Sequence, residues 1–206
     1  MDITRNMTIS RRKADLRGKL IRRLDAVDAA RQRRSSAELR EQVVRLPEIA
    51  RAKGVLACLS FGSEIDTWGL VEQLRQQGKA IFVPRSSRRD GQLHVHPYPC
   101  ELRELSFGLR QPVPWAPEVE REEIESLVDV VLVLGLAFDR DGYRLGHGKG
   151  YFDRFLAGRS VTALGICYPF QLFETIPHDE VDVPMSAIVT SSGIHRPVQQ
   201  APQRAI

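Results

Sequence analysis

The residues with the clearest chemical potential lie between Val130 and Leu156, VVLVLGLAFDRDGYRLGHGKGYFDRFL. Gly146, Gly148 and Gly150 alternate there with His147 and Lys149. Glycines leave backbone N–H groups uncovered and let the chain turn with positive φ. An apolar strand precedes the glycines, and an amphipathic helix starting near Tyr151 follows them. Strand, glycine loop and helix N-terminus together make an anion cradle. Arg144 and Lys149 add cations, so phosphate binding is predicted. Neither standard nucleotide fingerprint is present: GxGxxG would need glycine at Tyr151, and the Walker pattern fails because Gly150 follows Lys149. A plain tight turn is the competing reading. It leaves the cation between two glycines without a purpose.

Several other side chains have chemical uses. Asp153, in the first turn of the expected helix, either complements the dipole or holds Mg²⁺ beside phosphates. His147 reads as a solvated residue or a phosphate hydrogen-bond donor. With no HExxH and no paired CxxC motifs, zinc is not expected. Glu64, in GSEIDT (Gly62 to Thr67), either binds the polar edge of an organic substrate or forms a surface ion pair. Asp66 reads as a helix cap. Phe107, in SFGLRQP, closes a flat apolar slot or simply packs. Lys13, Arg17, Leu20 and Leu24 fall at i, i+4, i+7 and i+11, on one helical stripe. Arg11, Lys19 and Arg22 fall on the other side. Inward cations need an anionic partner, and the pattern leaves carboxylate and ligand equally open.

The elements that must position these residues alternate along the chain. Ser10 is expected to cap a first helix with stripe Leu16, Leu20, Leu24 and Val27. Ser35 and Glu38 read as a capping box for a second helix through Leu39, Val43 and Leu46. Val55 to Phe61 is a buried strand, and Thr67 to Gln77 a helix stopped by Gly78. Ala80 to Pro84 is a strand, joined through an Asp90-Gly91 turn to the hairpin partner LHVHPY. Glu101 to Pro117 reads as proline-bearing loop. DRDG (Asp139 to Gly142) is a turn. Asp129 to Leu134, the helix around Phe152 to Leu156, and Val161 to Ile166 form a βαβ unit, with a last short strand over Ala187 to Thr190. This alternation predicts one α/β domain, a doubly wound and mostly parallel sheet with helices on both faces, over residues 10–194. Residues 1–9 and 195–206 read as disordered tails.

Composition is that of an ordinary soluble protein. The chain has 206 residues, 42% apolar and 27% charged. Apolar runs such as Val130 to Leu134 are far too short to span a bilayer. The start, MDITRNMTIS, has no hydrophobic core region, so no secretory signal is expected, and the expected location is cytoplasmic. Cys58, Cys100 and Cys167 read as reduced thiols. The net charge of +4 is concentrated in the first 35 positions. That basic region contains no aromatic residue for base stacking, so nucleic acid is not the expected partner.

Together these residues resemble the 5-formyltetrahydrofolate cyclo-ligase (methenyltetrahydrofolate synthetase) family over most of residues 11–190. RKADLR (Arg12 to Arg17) is similar to its N-terminal box. GSEIDT with the later GK-x-x-x-x-P (Gly78 to Pro84) is similar to its second block. FGLRQP resembles its substrate-side loop, and LAFDRDGYRLGHGKGYFDRFL its signature. The resemblance implies a NagB/RpiA/CoA-transferase-like α/β fold. It also implies ATP- and Mg²⁺-dependent cyclisation of 5-formyltetrahydrofolate to 5,10-methenyltetrahydrofolate, through a phosphorylated formyl group, with release of ADP and phosphate. Implied ATP-binding residues are Lys13, Ala14, Asp15, Leu16 and Arg17 with Arg144, Leu145, Gly146, His147, Gly148, Lys149, Gly150, Tyr151 and Phe152. Arg144 and Lys149 are implied to be catalytic. Leu59, Phe61, Glu64, Phe107 and Tyr151 would hold the folate, and Asp153 and Asp182 the metal. Phe152 stands where many members have tyrosine, and Ser186 where an aspartate is common. The implied partners are small molecules only, in a monomer or weak dimer without nucleic acid or membrane. A family member without cyclo-ligase activity, a sugar-phosphate isomerase or CoA-transferase-like enzyme, and a nucleotide- or RNA-binding module are the other classes to separate.

Overall fold

A computed structural model describes residues 3–197, with backbone only for residues 3–7. In chain order the helices are α1 (Ile3–Asp25), α2 (Ala29–Val44), α3 (Pro47–Arg51), α4 (Trp68–Gln76), α5 (Ile124–Leu127) and α6 (Tyr151–Leu156). The strands are β1 (Gly54–Ala57), β2 (Ala80–Ser86), β3 (Leu93–Tyr98), β4 (Leu102–Glu104), β5 (Arg110–Pro112), β6 (Val130–Val133), β7 (Ala137–Asp139), β8 (Arg144–Leu145), β9 (Thr162–Ile166), β10 (Leu172–Phe173), β11 (Ala187–Thr190) and β12 (Gly193–His195).

The main sheet has the order β12-β11-β9-β6-β1-β2-β3, with antiparallel pairing only at its two edges. Its central strands read as continuous apolar runs because both faces are covered. Alternate residues of each strand enter opposite cores. Val55, Ala57, Val130, Leu132 and Leu164 pack with Leu20, Leu24, Leu39, Ile49 and Leu74 from α1 to α4. Leu56, Val131, Val133, Ala163 and Ile188 pack with Ile124, Phe155 and Leu156 from α5 and α6. The expected doubly wound α/β sheet is present. Chain order runs one way from β1 through β2 and β3, and the other way from β6 through β9 and β11. The switch point therefore lies between β1 and β6, and a ligand crevice forms beyond the carboxyl ends at such a point.

Several boundaries differ from the sequence reading. Helix α1 begins at Ile3, so Ser10 lies within it and caps nothing. Helix α2 begins at Ala29 behind Asp28, whose side chain accepts from the Arg31 amide at 2.8 Å. Ser35 and Ser36 are consequently buried mid-helix, because Asp28 supplies the cap and the intervening residues propagate helix well. Asp66 does serve α4, accepting from the amides of Trp68 and Gly69. The stretch expected as loop after Glu101 contains the β4–β5 ribbon, docked through Gln111 onto the Ser86 amide and hydroxyl. The DRDG turn joins β7 to β8. Of the expected tails, residues 1–2 and 198–206 lie outside the described residues, while 3–9 belong to α1 and His195 ends β12.

Candidate functional site

Two loops leave the carboxyl ends of β1 and β6 on either side of the switch point, and between them lies a cavity of about 1390 Å³. Single-ligand pockets usually enclose roughly 300–1,000 Å³, so this one has room for two small molecules together. Nine Lys and Arg side chains and five carboxylates line it.

The loop after β1 is fixed before any ligand arrives. Ser60 and Thr67 exchange hydrogen bonds, Thr67 Oγ1 donates to the Cys58 carbonyl, and Gln32 donates to the carbonyls of Gly62 and Glu64. Tyr168 Oη donates to the Ser63 carbonyl at 3.1 Å. Glu64 Oε2 accepts from the Phe61 amide, and its Oε1 lies 3.8 Å from His147 Nε2 on the opposite loop. Phe61 packs edge-on to Phe107, with centroids 5.4 Å apart, and Phe107 is 51% exposed. These two rings, Leu59 and the Glu64 carboxylate all line the cavity. Cys58 also lines the cavity, but burial pushes its thiol up to about 12, so it is no nucleophile.

The predicted cradle does not leave β6 directly: the β7–β8 hairpin intervenes, and residues 146–150 join β8 to α6. Helix α6 has only six residues, so its dipole adds little. What the loop offers an anion is its backbone amides and the neighbouring cations. Arg17 Nε donates to the Gly146 carbonyl at 2.9 Å, tying α1 to this loop. The Arg144 side chain is 6% exposed, its Nη2 donates to Asp153 Oδ2 at 2.9 Å, and its Nε is buried without a partner among the described residues. A Cβ on Gly146 would stand 2.3 Å from Arg144 Nη1, so any other residue there would displace the guanidinium from this position. The Lys149 side chain is exposed, and its ammonium has no partner among the described residues.

The inward stripe of α1 is present as expected. Lys13 is paired with Asp179 at 2.8 Å and with Asp182 at 2.5 Å. Its anionic partner is therefore a carboxylate pair. Burial alone would lower the Lys13 pKa, but the two hydrogen-bonded aspartates outweigh it and raise it. Ala14, Asp15 and Leu16 do not line the cavity, since one helical face shows the pocket only every third or fourth residue. The other proposed site residues, from Leu59 and Phe61 to Tyr151, Phe152, Asp153 and Asp182, all do. Sequence reasoning missed Asp179, Arg85, Arg88, Arg89, Arg103, Arg110 and Gln111, which also line it. Arg110 and Gln111 lie within the FGLRQP segment, of which sequence reasoning singles out only Phe107, and no local pattern marks the others.

Metal binding can be tested on the donors. Asp153 Oδ1 lies 3.5 Å from the amide of Val183, the residue after Asp182, so the two acids share one wall. Each commits one oxygen to a cation, Asp153 to Arg144 and Asp182 to Lys13. No group of three or more His, Cys, Asp or Glu able to hold a metal occurs among the described residues. That set excludes a closed protein cage but fits Mg²⁺, which keeps waters and phosphate oxygens and takes one or two carboxylates.

Residues 9–191 match the family described as the 5-formyltetrahydrofolate cyclo-ligase family. The chain is 28% identical over 196 residues to 5-formyltetrahydrofolate cyclo-ligase of Mus musculus, covering 89% of this chain and 95% of that one. It is 32% identical over 189 residues to the enzyme of the same name from Mycolicibacterium smegmatis, covering 87% and 94%. Among solved structures it is similar to 5,10-methenyltetrahydrofolate synthetase of Aquifex aeolicus, with a TM-score of 0.76 and 29% identity over 94% of this chain and 96% of that one.

Proposed function

Because this chain belongs to the 5-formyltetrahydrofolate cyclo-ligase family, we propose that it closes 5-formyltetrahydrofolate to 5,10-methenyltetrahydrofolate at the expense of ATP. The observation that carries this reading is one cavity with aromatic rings on the β1 side and a glycine-rich, cationic loop on the β6 side. The rings would take the pterin, with Glu64 accepting from its N–H edge. The loop would take the phosphates, on the amides of residues 146–150 and the Lys149 ammonium.

The chemistry needs both halves. The formyl oxygen attacks the γ-phosphorus of ATP and the bond to the β-phosphate oxygen breaks, giving ADP and a phosphorylated formyl group. N10 then attacks the activated carbon, loses its proton, and phosphate departs with the oxygen. An amide-like oxygen leaves poorly until phosphorylated. Phosphoryl transfer itself depends mainly on positioning and charge neutralisation. Arg144 and Lys149 would neutralise the transferring group, and Arg17 would hold the loop through Gly146. Asp153 and Asp182 would hold Mg²⁺, which supplies charge neutralisation at the phosphate oxygens when bound. Phe61 and Phe107 would keep the formyl group and N10 dry.

The test is direct. Near-UV absorbance of the methenyl product rises only when ATP, Mg²⁺ and 5-formyltetrahydrofolate are all present. Product formed without nucleotide removes the ligase reading, and inactivity of well-folded protein favours a family member with another activity.

A further inference from the structure

Arg154 takes no part in the reading above, yet it joins the two loops that face each other across one end of the cavity. Its Nε and Nη2 donate to the Gly91 carbonyl at 3.1 and 2.7 Å, and the same Nη2 donates to the Lys149 carbonyl at 2.9 Å. The guanidinium also lies over the Tyr151 ring, 5.4 Å from its centroid, while Tyr151 Oη donates to the Ser87 carbonyl at 3.3 Å. Two turns far apart in the chain, 87–91 between β2 and β3 and 146–150 before α6, are thus bound together through their backbones. Gly150 is part of the fit. Its φ is +64°, and a Cβ there would meet Arg154 Nη1 at 2.8 Å.

The turn that Arg154 holds carries Arg88 and Arg89, both exposed and both lining the cavity. Neither has a partner among the described residues. The acid beside them, Asp90, also lines the cavity but is engaged elsewhere, accepting from the Gln92 amide at 2.9 Å and lying 3.0 Å from His94 Nε2. Arg85 and Arg110, by contrast, are matched by Glu118 and Glu104. Two cations are therefore left unneutralised on the turn clamped against the Lys149 loop. A protein gains nothing in stability from such a pair. An anionic ligand between the turns gains from both.

We propose that the β2–β3 turn is a second anion-binding wall of this site, with Arg88 and Arg89 as its ligand contacts and Arg154 as the positioning residue that clamps it to the glycine loop. The inference rests on the functional reading for the ligand's identity. The recognised chemistry is an anionic oxygen group, either the phosphoryl chain of the nucleotide or the glutamate carboxylates of the folate. Arg154 acts through its backbone bonds and touches neither.

A double-mutant cycle by isothermal titration tests this, with a non-hydrolysable ATP analogue in Mg²⁺ and, separately, 5-formyltetrahydrofolate monoglutamate. Arg88→Ala/Arg89→Ala and Arg154→Ala each weaken the Kd for one of these ligands by about fivefold or more, as charge-assisted hydrogen bonds lost or misplaced should. The ligand that weakens identifies the source of the anion. Because Arg154 acts through the turn, the triple variant binds no more than about twofold worse than Arg154→Ala alone, a coupling of contacting residues. Arg33→Ala, an exposed arginine outside the cavity, binds both ligands as wild type does. Additive losses would overturn the positioning role, and an Arg88→Ala/Arg89→Ala variant with wild-type affinity for both ligands would overturn the wall. Arg88 and Arg89 are exposed, so that variant folds even if Arg154→Ala does not. Wild-type protein that binds neither ligand would instead sink the functional reading from which the anion was taken.

Discussion

At the residue scale, the difference between Lys149 and His147 is the sharpest available test of the cradle. Both lie in one glycine-rich loop. The Lys149 ammonium is without a partner among the described residues, whereas His147 tilts against Phe61 and lies 3.8 Å from Glu64. Lys149→Ala is expected to lower kcat by roughly 10²-fold, because it removes charge stabilisation from phosphoryl transfer. His147→Ala should cost far less, and single-turnover kinetics would measure both. Wild-type rates in both variants would make the loop structural. Asp153 carries two separable roles. Asp153→Asn weakens its pairing with the nearly buried Arg144, costing about 1–3 kcal/mol of stability. If it also holds metal, activity of the variant needs more Mg²⁺. A lowered melting temperature with an unchanged Mg²⁺ titration leaves Asp153 as a holder of Arg144 alone. The glycine loop and Asp153 were legible in the sequence because they are contiguous. The partners of Lys13 were not, since Asp179 and Asp182 lie 166 and 169 positions away and only the closed fold delivers them.

At the element scale, the first helix separates specific contacts from general charge. Arg17 lies on the buried stripe and bonds to the Gly146 carbonyl, while Arg22 is exposed on the far side. The two have the same formal charge. Arg17→Ala is expected to raise the Kd for an ATP analogue about tenfold, equivalent to about 1.4 kcal/mol, by releasing the loop and removing a cation from the cavity. Arg22→Ala should stay within about 0.5 kcal/mol. Equal losses from both would show only a long-range field, and screening by salt would then abolish them together. This stripe could be read from sequence because helical periodicity repeats over several turns. The β4–β5 ribbon could not. Its strands have three residues each, and what orders them is the docking of Gln111 on Ser86, a contact that no local pattern encodes. The same applies to β7, β8 and β10, which form a small sheet only because they meet one another in the fold. The α2 start failed for another reason: Ser35 and Glu38 match a capping box, but Asp28 one turn and more upstream had already supplied the cap.

At the scale of the whole molecule, the switch point between β1 and β6 explains why residues from distant positions meet, and β2 and β3 complete one wall of the cavity. That wall contains a pH-sensitive support. His96 on β3 is fully buried, donates from Nδ1 to the Pro117 carbonyl at 2.8 Å, and accepts at Nε2 from Arg85 Nε at 3.2 Å. This arrangement fixes the neutral ring. Burial, assisted by the Arg85 charge against the opposing pull of the Pro117 carbonyl and Glu118, holds its pKa below the ordinary 6.5. The folded state thus binds fewer protons here than the unfolded chain. The stabilisation is fully present above about pH 6.5 and is lost as pH falls through the window down to the depressed folded value. Asp179 acts lower on the scale. Burial would raise its pKa, but Lys13 outweighs that and lowers it, so its contribution holds above the ordinary 3.8 and disappears as pH falls below it. Lys13, raised above 10.5, loses its contribution only at higher pH. Thermal melting across pH should therefore be flat from neutrality up to that alkaline limit and fall in two acid steps. His96→Gln keeps a donor and an acceptor but cannot charge, so it should remove the step just below pH 6.5 and leave the one near pH 4. If the variant keeps the first step, the charge is entering elsewhere and His96 is not the support. If wild-type cavity binding of an ATP analogue weakens across the same window while the variant's does not, protonation reaches the site through Arg85, which is both the partner of His96 and a lining residue of the cavity.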